Sequence, residues 1–517
     1  MSASKRGAAA AMVAAAGLLA TATMASAWPA TDRGPSTTTD PYVIPVAEGV
    51  SITSLLTVDD PRQASDGTDM AGTPDGLGAY RSNGRSFTLL MNHEFGATAG
   101  ATRRHGQTGS FVSEWTINRR TLEVSSGSDL IDPGVAYWDP IAQLYGPAPG
   151  PAGPNPRQPT DTFPALLAAF SRFCSSTLTA PKQLWNKRSG RGYDGQLYFA
   201  SEESGVDGRT FGVTTDGTAQ ELPRLGKASW ENTKPAFNRS DTTLVIGSED
   251  ANPGQLWVYR GTKRRTGNAF DRAGLTDGAH FVIDADDPTV RNDAEFRNLY
   301  RTNRPAPVSL NAVDWDQSGK RQNDEAVADG LSLNRIEDGG WDPNNPNDFY
   351  FVTTEGGSTT PAPDDPATRD GGGLWKLSFE DIEQPELGAT LTLLLDGSEA
   401  PYLNKPDNVD IDRYGHILIQ EDPGGNPHVA RIVAYDIATG RRGVMATFDP
   451  ERFTPGKEKF ITADEESSGI IDATDVVGDG WFLFDAQVHK ASTDPRHVEL
   501  GQLLAMHVDD WDAVFGG

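Results

Sequence analysis

Asn92, His93 and Glu94 close the apolar run Phe87–Met91 with three side chains that hold metals or protons. Five more apolar runs lead into acids. They reach Glu202 and Glu203, Glu249 and Asp250, Glu355, Glu421 and Asp422, and Asp485 followed by His489. A second set of acids, Glu231, Glu337, Asp407 and the pair Glu465-Glu466, opens the segment ahead of a run. Carboxylates brought together repel one another and stay ionised only around cations. Oxygen-rich sets with few histidines select hard ions, Ca²⁺ first. The chain's one cysteine, Cys174, would add a thiolate that favours a transition metal such as iron. Taken singly, each acid is also what a solvent-facing strand-end turn requires; the repetition is what points to a site. No serine, threonine or cysteine nucleophile flanked by a base stands at motif spacing, and Cys174 also fits a small buried apolar side chain.

Such a site needs elements that bring remote tips together. Each opening acid is followed by a β-prone stretch, an Asn/Asp/Gly turn (NRSD, NNPND, RYGH, VVGDG) and then the apolar run. That is a β-hairpin, and its two open ends lie side by side. The opening acid and the closing acid therefore share one end of the hairpin. Gly and Pro number 55 and 35, helical spacing is rare, and the class is all-β. The reading is a six-bladed β-propeller with long inserted loops, its innermost hairpins surrounding one mouth of a channel. Two sandwich domains are the alternative, because steps between successive acids run from 47 (Glu202 to Glu249) to 108 (Glu94 to Glu202) residues. Tyr145–Pro159 and Ser358–Gly373 read as inserted loops. The spacing in Thr162–Phe173 predicts a helix.

Residues 1–27 read as a secretory signal: Lys5-Arg6, an apolar stretch from Ala8 to Ala22, then Ala25-Ser26-Ala27. Residues 28–517 are expected to form a single catalytic domain, secreted or periplasmic. The net charge of −27 becomes two units more negative without Lys5 and Arg6. It argues against nucleic acid and anionic lipid as partners and suits bound divalent cations, a high-salt habitat or simple solubility equally. A lone cysteine leaves no internal disulfide.

Several segments resemble the PhoX family of secreted alkaline phosphatases. FCSSTLTAPKQLW and LYFASEES (from Phe173) resemble its cysteine segment and following strand, and GKASWENT (from Gly226) its histidine-glutamate segment. LNRIEDGGWDP (from Leu333) resembles the Arg-x-Glu segment, KPDNVDIDRYGHILIQED (from Lys405) the Pro-Asp-Asn segment, and MNHEFG (from Met91) the Asn-His-Glu strand end. The resemblance implies a six-bladed propeller phosphatase with ferric and calcium ions at one end of the channel. By that likeness Cys174, Glu231 and Glu337 are expected as ligands of iron or calcium, and Glu202 and Asp407 complete the calcium shell. Arg335 would clamp the substrate phosphate, with Glu337 as its catalytic partner. Glu94 and Glu421, as strand-end acids, join the expected metal set. The implied cofactors are Ca²⁺ and Fe³⁺. The implied partner is a small-molecule phosphate ester, with no nucleic acid, no membrane and a monomeric chain. Trp230 stands where the family pattern has histidine, Ser201 where it often has cysteine, and the signal carries Lys-Arg in place of twin arginine.

Other signals point to less. Asp314, Asp316, Ser318 and Glu325 have calcium-loop spacing but read mainly as a surface turn. Asn238-Arg239-Ser240 is a sequon, and Asp370–Gly373 lacks the context of a phosphate loop. Two competing functions are a calcium-dependent propeller lactonase or esterase and a non-catalytic binding propeller.

Overall fold

The computed structural model describes residues 31–354, 372–424 and 429–516. The expected signal segment, Glu355 and nearly all of the Ser358–Gly373 insertion lie outside them. The described residues form an all-β, propeller-like arrangement built on six antiparallel hairpins. These pair β1 (Pro74–Arg81) with β2 (Ser86–His93), β3 (Phe173–Leu178) with β4 (Leu197–Glu202), and β5 (Trp230–Pro235) with β6 (Thr242–Glu249). They continue with β7 (Ile336–Trp341) and β8 (Asp348–Thr353), β9 (Pro406–Ile411) and β10 (His416–Glu421), and β11 (Glu465–Asp472) and β12 (Trp481–Ala491). The six first strands form a closed ring: β1 touches β3, β3 touches β5, and so on until β11 returns to β1.

Hydrogen bonding groups these hairpins less simply than six separate blades. Four belong to distinct sheets of four or five strands. The third and fourth fuse into one nine-stranded sheet, because the edge strand Ala306–Val313 pairs with Ala389–Leu395. The early strand Val50–Thr57 pairs with the last one, Glu499–Val508, and so closes the ring.

The second strands read as unbroken apolar runs because sheets stack on both of their faces. On β2, Phe87, Leu89 and Met91 enter one core with Leu483 and Leu503, while Leu90 enters the next with Tyr198 and Phe170. On β8, Phe349 and Phe351 face Trp375, and Tyr350 and Val352 face Ile417 and Ile419. Each such side chain adds about 1.5–3 kcal/mol of burial. The turns follow the sequence reading: Gly415 adopts φ +88 where the RYGH turn brings its N–H to the Asp412 carbonyl at 3.1 Å.

The helix expected over Thr162–Phe173 does not form. Thr162–Phe163 pairs as a short strand with Gly153–Pro154, and Phe170 and Phe173 are drawn into a core with Tyr137 and Phe211. Tertiary burial overrides helical spacing there. A helix forms instead at α1 (Gly319–Asp329), capped by Ser318. Among the described residues no helix is long and apolar enough to cross a membrane.

Candidate active site

The six hairpins open alike. The first residue of each first strand lies opposite a fixed partner: Pro74 and His93, Phe173 and Glu202, Trp230 and Glu249, Ile336 and Thr353, Pro406 and Glu421, Glu465 and Val488. A register shift then interrupts every first strand within a few residues. Such bulges re-aim side chains beside active sites. The second residue of each first strand is Asp75, Cys174, Glu231, Glu337, Asp407 or Glu466. All six are buried, none more than 9% exposed.

A second tier lies at the rim. One backbone bond recurs six times, from a rim residue's N–H to the carbonyl just before the first strand. It joins Glu94 to Thr73, Glu203 to Arg172, Asp250 to Ser229, Thr354 to Arg335, Asp422 to Lys405, and His489 to Asp464. Among the described residues, three groups of ligand atoms, each within 4.8 Å of one another, emerge from the two tiers. They are Asp75 with Glu94 and Cys174, Cys174 with Glu203 and Glu231, and Glu231 with Glu337 and Asp407. Cys174 and Glu231 each belong to two groups, so the three are contiguous.

Burial, and then the charge of neighbouring acids, pushes Asp75, Glu231, Glu337 and Asp407 well above the usual carboxylate range. The Cys174 thiol is pushed up for the same two reasons. It donates to Glu231 Oε2 at 2.9 Å, and a buried thiol of this kind is a poor nucleophile. Asp407 Oδ1 is buried without a hydrogen-bond partner. Crowded anions with an orphaned oxygen and one soft sulfur are the donor set a mixed cation cluster requires. The residues present therefore fit such a cluster.

Of the expected ligands, Cys174, Glu231, Glu337, Asp407 and Glu94 come together. Glu202 and Glu421 do not. Arg209 Nε and Nη2 hold both Glu202 oxygens at 2.7 Å, and Arg431 holds Glu421 at 2.9 and 2.7 Å. Glu249, at the same register position, accepts from Trp257 Nε1 at 2.9 Å and Gln255 N at 3.0 Å. In each pair the next acid along, Glu203, Asp422 or Asp250, takes the rim position. Asp485, expected at a strand tip, lies mid-strand opposite Ser468, and β12 runs on to put His489 at the rim. Glu466 and Glu499, outweighing burial, push His489 up to about 11.

Sequence reasoning missed Asp75 and Arg172. Asp75 opens a hairpin as Glu231 does, but Pro74 and Gly76 around it read as turn residues. Arg172 lies just before Phe173 and pairs with Glu94 at 2.7 Å and with Glu203. Arg335 lies just before Ile336, the first residue of β7. Its Nε and Nη2 meet Asp250 at 2.7 and 2.8 Å, and Nη2 is 3.2 Å from Glu337 Oε1. Trp230 belongs to none of the three ligand groups; it packs with Trp257, Val282 and Val313 on neighbouring strands of its own nine-stranded sheet. Ser201 is hydrogen-bonded to Thr233 at 3.0 Å. The Asp314–Glu325 stretch gathers no ligand set: Asp316 pairs with Arg157 at 2.5 Å, Asp314 accepts from Gln158, and Ser318 caps α1.

The sequence profile of the alkaline phosphatase PhoX family matches residues 212–471, half of the chain. The protein belongs to the PhoX family. It is accordingly a phosphoric monoester hydrolase of the alkaline phosphatase kind. The structure of Pseudomonas fluorescens PhoX in complex with vanadate, a transition-state analogue, superposes with a TM-score of 0.60 at 11% identity. It covers 92% of this chain and 97% of that one. A gluconolactonase from Xanthomonas campestris gives a TM-score of 0.27 at 11% identity over 87% of this chain and 99% of that one. No curated protein matches the sequence.

Proposed function

We propose that this PhoX-family chain is an exported, single-domain enzyme in which residues 28–517 form a six-bladed propeller and the ring holds Ca²⁺ and Fe³⁺. Its substrate is a small-molecule phosphate monoester. The observation that carries this reading is that the second residue of all six first strands is an acid or the lone thiol. Cys174, Glu231 and Glu337 would share the iron-bearing positions. Glu203, Glu94, Asp75 and Asp407 would complete an oxygen shell suited to calcium. Bound cations would neutralise the phosphoryl oxygens and lower the pKa of the attacking water.

The protein's own contribution is orientation. Arg335 is the residue assigned to the phosphate. Its backbone takes φ +53, a conformation an arginine holds only where its surroundings enforce it. Asp250 and Glu337 then fix the guanidinium plane through Nε and Nη2, which leaves Nη1 to address a phosphate oxygen. Thr354 Oγ1 donates to Glu337 Oε1 at 2.7 Å and steadies that carboxylate against the guanidinium beside it.

The test is purification without chelator, measurement of bound iron and calcium, and assay with p-nitrophenyl phosphate. Iron near one or two per chain with turnover, both lost in Cys174→Ser, supports the reading. Calcium alone with lactone hydrolysis and no phosphate release would overturn it.

A further inference from the structure

The residue just before each first strand is a repeated structural position whose carbonyl accepts the rim hydrogen bond. Around the ring it is Thr73, Arg172, Ser229, Arg335, Lys405 and Asp464. In the second and fourth hairpins it is an arginine, with φ +50 and +53. Both arginines follow one rule of contact. Arg335 pairs with Asp250 at the rim of the preceding hairpin and with Glu337 of its own. Arg172 pairs with Glu94 at the rim of the preceding hairpin and with Glu203 of its own. Arg172 Nε also donates to the Glu203 carbonyl at 3.0 Å, which orients the guanidinium.

The two stand on either side of the third hairpin, whose Glu231 belongs to two of the three ligand groups. Both side chains keep an open face, at 49% and 32% exposure, whereas the side chains of Glu94, Glu203 and Glu337 beneath them are 12% exposed or less. An acid ring on a chain of net charge −27 repels a phosphate dianion, so entry requires cations at the mouth. One arginine addresses one edge of the phosphate; two from opposite sides fix it in orientation.

We infer that Arg172 is a second phosphate-binding arm of the active site, acting opposite Arg335 across Glu231. This rests on the phosphatase reading above. The arm grips the phosphoryl group and the released phosphate, so it sets substrate affinity and product inhibition together.

The experiment compares wild type, Arg172→Gln and Arg172→Lys as metal-loaded full chains. It measures metal content, kcat and KM for p-nitrophenyl phosphate, and inorganic phosphate affinity by calorimetry. With the arm removed, Arg172→Gln raises KM and the phosphate Kd about tenfold or more at wild-type metal content, and Arg172→Lys recovers part of the loss. KM and phosphate Kd within twofold of wild type in Arg172→Gln would overturn the inference, with or without a fall in metal content or Tm, since Arg172 would then only neutralise Glu94 and Glu203. If wild type releases no phosphate from the ester, the phosphatase reading fails by itself. The calorimetric comparison of wild type with Arg172→Gln still decides whether Arg172 holds the anion.

Discussion

Glu202 and Glu203 are neighbours in sequence and opposites in role. Glu202 is clasped by a buried guanidinium, whose two contacts with it are each 2.7 Å. Glu203 shares a ligand group with Cys174 and Glu231. The same division recurs at Glu421, held by Arg431, and Asp422, which burial and Glu466 push up to about 7. At Glu249 and Asp250 the charges fall the other way: Glu249 accepts only from Trp257 and Gln255, and Arg335 pairs with Asp250. In the first two pairs one acid is neutralised by an arginine of its own hairpin's neighbourhood, and the other takes the rim beside the ring of acids. The first kind stabilises the fold and the second strains it. Chemistry thus depends on the second kind and folding on the first.

The sharpest break of this comparison is on the inward side. Glu231→Gln and Asp75→Asn are expected to lower phosphatase activity by about 10³-fold or more, with loss of bound metal seen by elemental analysis. The metal-free proteins should be at least as stable as metal-free wild type, because a buried like charge has gone. A lower Tm for both in chelator would sink the idea that these acids strain the fold. On the outward side, Glu202→Gln leaves the Arg209 charge buried with half of its pairing removed. We expect a loss of about 3–5 kcal/mol in denaturant unfolding, with metal per folded chain unchanged.

The inward acids also predict a pH response. Asp422 has its folded pKa raised from 3.8 to about 7, and Asp75, Glu231, Glu337 and Asp407 are raised well above the usual carboxylate range. The folded state therefore holds protons that the unfolded chain releases. The resulting stabilisation is full below pH about 3.8 and is lost as pH rises through 7 and beyond. Calorimetry in chelator should show Tm falling from pH 4 to 8, and the fall should shrink when calcium and iron are restored. The smallest effect is expected outside the ring. Asp316 pairs with a partly exposed Arg157 and accepts from the exposed Gln143, so Asp316→Asn should cost about 0–1 kcal/mol and leave the calcium content unchanged.

Much of the ring was legible in the chain. Glu231, Glu337 and Asp407 announce themselves as acids that open a hairpin, and Cys174 is conspicuous as the sole thiol. The second tier was not legible in the same way. A strand-end pair such as Glu421-Asp422 offers two carboxylates at one place, and nothing local ranks them. The ranking comes from Arg431, which begins the adjacent strand and claims the nearer acid. Asp75 was hidden because proline and glycine flank it, and the apparent tip at Asp485 proved to be mid-strand because β12 runs on past it.

The sequence by itself determined the all-β class, the hairpins and the stock of acids with one sulfur among them. These follow from apolar runs, turn residues and composition, all local properties. Only the tertiary structure decided which acid of each pair faces the centre and which arginines stand over it. Successive side chains on a strand point to opposite sides, and a bulge of one or two residues resets that alternation. The direction of Glu203 or Arg172 is therefore fixed by register against strands far away in the chain.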